Sequence, residues 1–290
     1  MPVMPELPEV ETVVRQLRPK VTGQHLERLL VFDGRLRPGR APAPAQRRIH
    51  RVERIGKQIV FSFGPGRPSG RPPRAWLACH LRMTGRLIWQ ARQRNAQPDL
   101  RARLVLDRGV VDFIDTRRFG TLRWLHRIEE IQPQGLDPLT PDFTVSALEG
   151  LLAGSRQEVK VWLLRQDRLA GLGNIYASEI LHRAGLAPRR RAGHLGKAET
   201  RRLFEAIGGV LSEAITNCGT TFSDFRDARG ELGAYQKMLA VYGREGQRCR
   251  RCRQGEIRRV VQQQRSTFYC PACQTRRWWR TAPGRRRGRP

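Results

Sequence analysis

The chain has 290 residues, 39% of them hydrophobic, which is enough for a real core in one large domain or two to three small ones and excludes a chain disordered throughout. Lys plus Arg number 55 against 26 Asp plus Glu, a formal net charge of +29 that calls for a polyanion: nucleic acid first, with an arginine-rich composition of no specific meaning and an anionic membrane surface as the alternatives. No apolar stretch approaches the roughly 20 residues of a bilayer span, and the start MPVMPELPEVET has neither a basic region nor an apolar core of a secretion signal, so a cytoplasmic chain with reduced thiols and no membrane partner is expected.

In chain order, residues 8–19 read as a helix. Pro8 suits the first helical position, Glu9 and Glu11 suit the positive end of its dipole, Val10, Val13, Val14 and Leu17 share a face, and Pro19 is expected to stop the run. From about 20 to 130 strands dominate. Ile59, Phe61 and Phe63 alternate with Val60 and Ser62, and Leu104, Leu106, Val111 and Phe113 continue the pattern, interrupted by Pro- and Gly-bearing loops at Pro38–Pro44 and Gly64–Arg74. Residues 132–142, QPQGLDPLTPD, read as a linker. Two helical faces follow: Val145, Leu148, Leu151 and Leu152, then Leu203, Ile207, Val210, Leu211 and Ala214, the second capped by Gly219. Between them LAGLGNIYASEILHR (169–183) places Gly171 and Gly173 ahead of Asn174, an N-cap type, and a new helix. Free N–H groups at such a start can bind phosphate in a DNA-docking element, or the segment is an ordinary turn between packed helices.

Cys249, Cys252, Cys270 and Cys273 form two C-x-x-C pairs separated by 17 residues. Two such knuckles can set four thiolates around one structural Zn²⁺, and the piece between them, with Ile257, Val260 and Val261 before a Gln-rich turn, reads as a hairpin too small to fold without metal. Two disulfides or four free thiols are the alternatives. Cys79 and Cys218 stand apart and read as small buried hydrophobes. The Arg-rich tail, 276–290, is expected to be disordered and to add non-specific phosphate affinity.

Several strings together carry a resemblance: PELPEVET (5–12), GKQ (56–58), HLRMTG (80–85), DTRRFG (115–120), GNIYASE (173–179), GTTFSDF (219–225), VYGREGQ (241–247) and RSTFYC (265–270). In this order the chain resembles the formamidopyrimidine-DNA glycosylases, bifunctional enzymes for oxidised purines, from Met4 to about Gln274. The resemblance implies an α+β multidomain fold: an N-terminal β-sandwich with flanking helices (4–131), a helix–two-turn–helix domain (132–240) and a C-terminal zinc-finger β-hairpin (241–275). It also implies damaged double-stranded DNA as partner, in a cleft between the two halves, and a monomer.

The resemblance further implies roles. Pro5 matches the family's nucleophile, the amine of an N-terminal proline. An α-amino group titrates near ~8, so a useful fraction is neutral at physiological pH. In the sequence as written Pro5 is internal and its nitrogen is an amide, so initiation at Met4 is expected. Glu6 matches the acid that opens the sugar ring, although on its residue type alone it would merely favour a helix N-terminus. Lys57 matches a lysine at the lesion phosphate and Arg265 an arginine at the hairpin tip. Met83, Arg117 and Phe119 match the residues that fill the void left by an extruded nucleotide. Lys160 and Asn174 match phosphate-binding positions. Tyr176 and Glu179 match the same helix, and Thr220 to about Tyr235 matches the loop over the flipped base. The chain departs from the family in PDL (98–100), where a histidine is frequent, in Arg82, where glycine is common, and in a zinc spacing one residue longer. A sibling enzyme of the endonuclease VIII type, acting on oxidised pyrimidines, and a non-catalytic zinc-ribbon DNA-binding protein are the competing readings.

Overall fold

The computed structural model describes residues 4–65, 73–92, 97–131, 135–220 and 226–274. The chain divides into two units, Met1–Gln134 with Ser212–Lys237, and Gly135–Leu211 with Met238–Pro290.

The first unit starts with helix α1, Leu7–Val21, whose buried face is Val10, Val13, Val14 and Leu17 as the spacing predicts. It begins one residue earlier than expected, so Pro8 takes the second helical position, and a reciprocal capping box joins Glu6 to Glu9. Pro19 does not stop it. It sits in the last turn, where only one backbone bond is forfeited, and the Thr22 N–H donates to the Arg18 carbonyl (3.1 Å) just beyond.

Eight strands follow: β1 Leu26–Val31, β2 Arg48–Ile55, β3 Gln58–Gly64, β4 Ala75–His80, β5 Gly85–Gln90, β6 Leu100–Leu106, β7 Val110–Asp115 and β8 Thr121–Leu125. All pair antiparallel, in two four-stranded sheets of order β1-β6-β7-β5 and β2-β3-β4-β8. Ile59, Phe61 and Phe63 of one sheet join Leu87, Leu104, Val111 and Phe113 of the other and the α1 valines in one core, a β-sandwich closed by a helix. The alternation in β3 does not leave one face wet. Val60 packs in a second cluster with Ala78, Leu125 and Ile131, and Ser62 is buried too, because β3 is an inner strand covered on both sides. On the other sheet Arg103 and Asp112, each 2% exposed, pair across β6 and β7 (Nε–Oδ1 2.5 Å).

In the second unit α2 (Val145–Leu152), α3 (Val159–Leu163), α4 (Asn174–Ala184) and most of α5 (Lys197–Thr216) are helical, and β9 (Arg258–Gln262) pairs with β10 (Arg265–Tyr269). Of the expected linker, 132–134 lie outside the described residues. From Gly135 onward it is built into the unit: the Leu136 N–H donates to the Arg168 carbonyl (3.0 Å) and its carbonyl accepts from Ala170 (2.9 Å). Its Pro and Gly content reflects tight turns rather than slack chain. The tail from residue 275, residues 66–72 of the Gly64–Arg74 loop and 221–225 of the expected lesion loop also lie outside the described residues.

The end of α5 differs in detail from the expectation. The left-handed residue after the helix is Cys218 (φ 57°), whose N–H donates to the Ile215 carbonyl, while the Gly219 N–H reaches Ala214 (2.8 Å), a Schellman arrangement with Gly219 one place later than predicted. Cys79 is fully buried, and burial together with the charge of Asp115 pushes its thiol well above the ordinary range, as befits a core residue. Cys218 is only half-buried.

Candidate active site and zinc ribbon

Pro5 and Glu6 lie immediately ahead of α1 and both are buried, Glu6 at 2% exposure. Glu9, one turn on, organises their surroundings. Its Oε2 accepts from the Glu6 N–H (2.9 Å), and its Oε1 accepts from the Thr220 N–H (2.7 Å) and hydroxyl (2.9 Å). A Cβ on Gly219 would lie 2.7 Å from that same Oε1, and Gly219 has φ +75°, so two separate constraints select glycine there. Glu9 thus binds the base of the 220–235 loop to the helix that starts with Pro5 and Glu6.

The loop is closed at its base by a bridge between Thr220 and Ala234 and anchored again further along. Asp227, 1% exposed, accepts from Gln16 Nε2 (2.7 Å) and from the N–H groups of Arg229 and Glu231 (2.9 Å each), while the Ala228 carbonyl accepts from the Trp89 N–H of β5 (3.0 Å).

Lys57 stands in the two-residue turn joining β2 to β3, after Gly56 at φ +59°. Arg54 ties this hairpin to α1 through Glu11 (3.1 Å) and to the Gly56 carbonyl (3.1 Å). His80, at the end of β4 opposite Gln58, is held neutral. Its pKa is lowered to about 4, chiefly by burial and then by the charges of Arg82 and Lys57.

Met83, Arg117 and Phe119 occupy two adjacent turns. Met83 is half-buried, and Arg117 and Phe119 are exposed, Phe119 by 52%, an unusual position for a large apolar ring. The Arg117 guanidinium lies over the Phe119 ring, 4.9 Å from its centre. Asp115, 1% exposed, holds both turns. It accepts from the Thr84 hydroxyl, from the Arg117 N–H (3.2 Å) and from the Gly120 N–H (2.7 Å), and Thr84 accepts from the same Arg117 N–H (3.1 Å). Arg82 and Arg118 adopt left-handed backbone (φ 54° and 61°). Glycine would adopt that backbone without strain at position 82, and the His80 Nδ1 steadies Arg82 by accepting from its N–H (3.0 Å). From the sequence, Asp115 and Thr84 are passed over and Glu9 is assigned only to the helix dipole. The available signal was their place inside the strings DTRRFG, HLRMTG and PELPEVET.

In the second unit Asn174 is the first residue of α4 and not its N-cap. Gly173 takes that place, and the Asn174 Nδ2 donates to the Ser266 carbonyl on β10 (2.8 Å). Lys160 is fully buried in the first turn of α3, so direct phosphate contact from solvent does not follow from its position. Tyr176 is also fully buried. Glu179 is structural: it accepts from the N–H groups of Ala240 (2.8 Å), Val241 (3.0 Å) and Tyr242 (2.8 Å), and burial raises its pKa against the pull of those bonds.

The ribbon matches its prediction. Gln263 and Gln264 both take positive φ (44° and 59°), forming the tight turn of a two-residue hairpin, and Arg265 stands exposed beside it. The sulfurs of Cys249, Cys252, Cys270 and Cys273 lie within 4.8 Å of one another, with Cys249–Cys273 and Cys252–Cys270 each at 3.7 Å. Zn–S bonds of about 2.3 Å in a tetrahedron put sulfurs about 3.8 Å apart, so the donor set and its spacing suit one structural zinc and neither disulfide pairing is present. Ile257, Val241 and the cysteines form the only core of the ribbon among the described residues, and the metal provides the remainder of its stability.

Three descriptions of known protein families match successive parts of the chain. The family description "Formamidopyrimidine-DNA glycosylase N-terminal domain" matches residues 4–122, "Formamidopyrimidine-DNA glycosylase H2TH domain" matches 134–226, and "Zinc finger found in FPG and IleRS" matches 246–276. A formamidopyrimidine-DNA glycosylase of Desulfitobacterium hafniense is 38% identical over 282 residues, covering 93% of this chain and all of that protein. The crystal structure of MutM (FPG) from Thermus thermophilus is 39% identical with a TM-score of 0.78, covering 93% of this chain and 98% of that one. A Lactococcus lactis FPG mutant in complex with Fapy-dG containing DNA is 28% identical with a TM-score of 0.80, covering 94% of this chain and all of that one. Among the described residues no helix is long and apolar enough to cross a membrane.

Proposed function

The chain belongs to the formamidopyrimidine-DNA glycosylase family, enzymes of DNA repair, and from that premise we propose that it binds damaged duplex DNA, excises oxidised purines such as 8-oxoguanine and formamidopyrimidines, and then cleaves the strand as an AP lyase. The observation that carries the reading is the pair Arg117 and Phe119. An aromatic ring is held half out of the protein under a guanidinium, on a turn organised by a buried carboxylate that also binds Thr84 of the Met83 turn. Such a wedge fills the stack when a nucleotide is extruded, and the arginine replaces the lost hydrogen bonds.

Pro5 supplies the chemistry as the first residue of the active chain. Its secondary amine attacks sugar C1′, the glycosidic bond breaks, and the base leaves with the bonding pair and takes up a proton. The amine loses its own proton, its lone pair then forms the iminium, and the C1′–O4′ bond opens as Glu6 delivers a proton to O4′. The iminium acidifies C2′. Loss of that proton expels the 3′ phosphate, and a second elimination expels the 5′ phosphate. Lys57, on the rigid β2–β3 hairpin, and Arg265, exposed at the ribbon hairpin, neutralise these phosphates. Asn174 positions the ribbon hairpin through Ser266, and Lys160, which the family resemblance places at a phosphate-binding position, lies buried in the first turn of α3. The zinc takes no part in the chemistry.

Borohydride trapping tests the reading. Protein whose mature terminus reads Pro-Glu-Leu-Pro is incubated with duplex carrying 8-oxoguanine and reductant. A covalent adduct, absent when residues 1–4 are retained, is expected. Tight binding without an adduct from the Pro5 form would reduce the protein to a zinc-ribbon DNA binder.

A further inference from the structure

The last turn of α4 carries a histidine that neither the knuckles nor the proposed chemistry uses. His182 is 4% exposed, and its Nε2 lies 3.4 Å from the Cys249 Sγ, within hydrogen-bonding range of sulfur. Four thiolates around one dication leave excess negative charge on sulfur, and an imidazole bearing its proton on Nε2 is a donor suited to it. Other bonds bring the ribbon to the same end of the helix. Arg251, between the first two cysteines, donates from Nη1 to the carbonyls of His182 (2.9 Å) and Arg183 (3.1 Å). Gln274 Nε2 donates to the Leu186 carbonyl (2.9 Å) while its Oε1 accepts from the Cys270 N–H (2.8 Å). These tethers hold backbone or the second knuckle. Among these contacts, His182 alone reaches a sulfur from outside the ribbon.

We propose that His182 is a positioning residue of the zinc site. By donating Nε2–H to the Cys249 thiolate it orients that sulfur, latches the first knuckle to the last turn of α4, and slows departure of the metal. Zinc occupancy and the setting of α4 then rise and fall together, and the opposite end of that helix holds the β10 hairpin through Asn174 and Ser266. The inference rests on the zinc assignment and is independent of the lyase chemistry.

The test compares His182→Phe, which keeps a ring but removes the donor, with His182→Gln, whose side-chain amide can restore one. Zinc transfer to a chromogenic chelator should be roughly 10- to 100-fold faster in His182→Phe, the range found for lost outer-shell partners, and close to wild type in His182→Gln. In the cobalt-substituted proteins the thiolate-to-metal charge-transfer band should move to longer wavelength in His182→Phe alone. A folded His182→Phe protein that releases zinc at the wild-type rate overturns the proposal. Should that variant fail to fold, the unmodified protein decides: with an NMR-active cadmium isotope in place of zinc, scalar coupling between metal and the His182 imidazole proton is expected, and its absence sinks the idea. No DNA enters these measurements, so a failed borohydride trap and a failed zinc result remain distinguishable.

Discussion

Replacing Asp115 by Asn tests whether the proposed wedge of Arg117 and Phe119 depends on the carboxylate beneath it. Asp115 is buried and accepts from three donors: the Thr84 hydroxyl and the N–H groups of Arg117 and Gly120. The amide keeps one accepting oxygen. Its NH₂ then faces a backbone N–H, because both oxygens of the aspartate are in use, one toward Arg117 and Thr84 and the other toward Gly120. An unsatisfied buried donor costs about 1–3 kcal/mol, and the remaining bonds fall from charged to neutral strength, about 1 kcal/mol less each. The total is on the order of 3 kcal/mol, shared between global stability and order in the two turns. Expressed as turn order, that is roughly 100-fold in the population of the wedge-competent form. Urea unfolding and single-turnover excision of 8-oxoguanine measure the two shares, and 2-aminopurine placed opposite the lesion reports insertion of Phe119. The variant should unfold at lower urea and excise more slowly, with binding of undamaged duplex little changed. Wild-type unfolding together with wild-type excision would refute the reasoning.

Other outcomes follow from the same turns and from the ribbon. The unfolded chain takes up a proton at His80 as pH falls below about 6.5, whereas the folded chain resists until about 4, so this residue's contribution is complete above 6.5 and declines between 6.5 and 4 by at most on the order of 3 kcal/mol. His80→Gln should therefore flatten the dependence of Tm on pH across that window, and an unchanged slope would contradict the assignment. Arg82→Gly relieves left-handed strain of about 1–2 kcal/mol, offset by about 0.4–1 kcal/mol of extra freedom in the unfolded chain, so calorimetry should show a Tm equal to or slightly above wild type. Chelation of zinc, or Cys252→Ala, should abolish the near-ultraviolet signature of the Tyr242–Phe268 pair, whose rings lie 5.0 Å apart, and elemental analysis of the untreated protein should give one zinc per chain.

Features encoded by near neighbours were legible in the sequence. The valine face of α1, the alternating β3 residues and the two C-x-x-C knuckles each declare themselves within a few positions, and the Gln263–Gln264 turn is the same kind of signal. What could not be read depends on partners far along the chain. Glu9 resembles any acidic residue in a first helical turn until Thr220 is seen against it, and Asp227 depends on Gln16 in the same way. His182 lies on a helix face that reads as core, and only the folded ribbon brings Cys249 to it. Local rules also misplaced ends by a residue or two. Pro19 was tolerated because it fell in a final turn, and Gly173 displaced Asn174 as N-cap because the asparagine amide was drawn to Ser266.

The capping of α1 by its own residues bears on how preparations are judged. From Glu6 onward the helix satisfies its first donors internally, so polypeptides with or without extra residues ahead of Pro5 should melt, elute and scatter alike. Under the proposed chemistry, in which only a chain beginning at Pro5 reacts, a batch of mixed termini would pass every purity check and still contain a dead fraction. Turnover numbers for this enzyme are therefore meaningful only when normalised to covalently titrated sites rather than to absorbance.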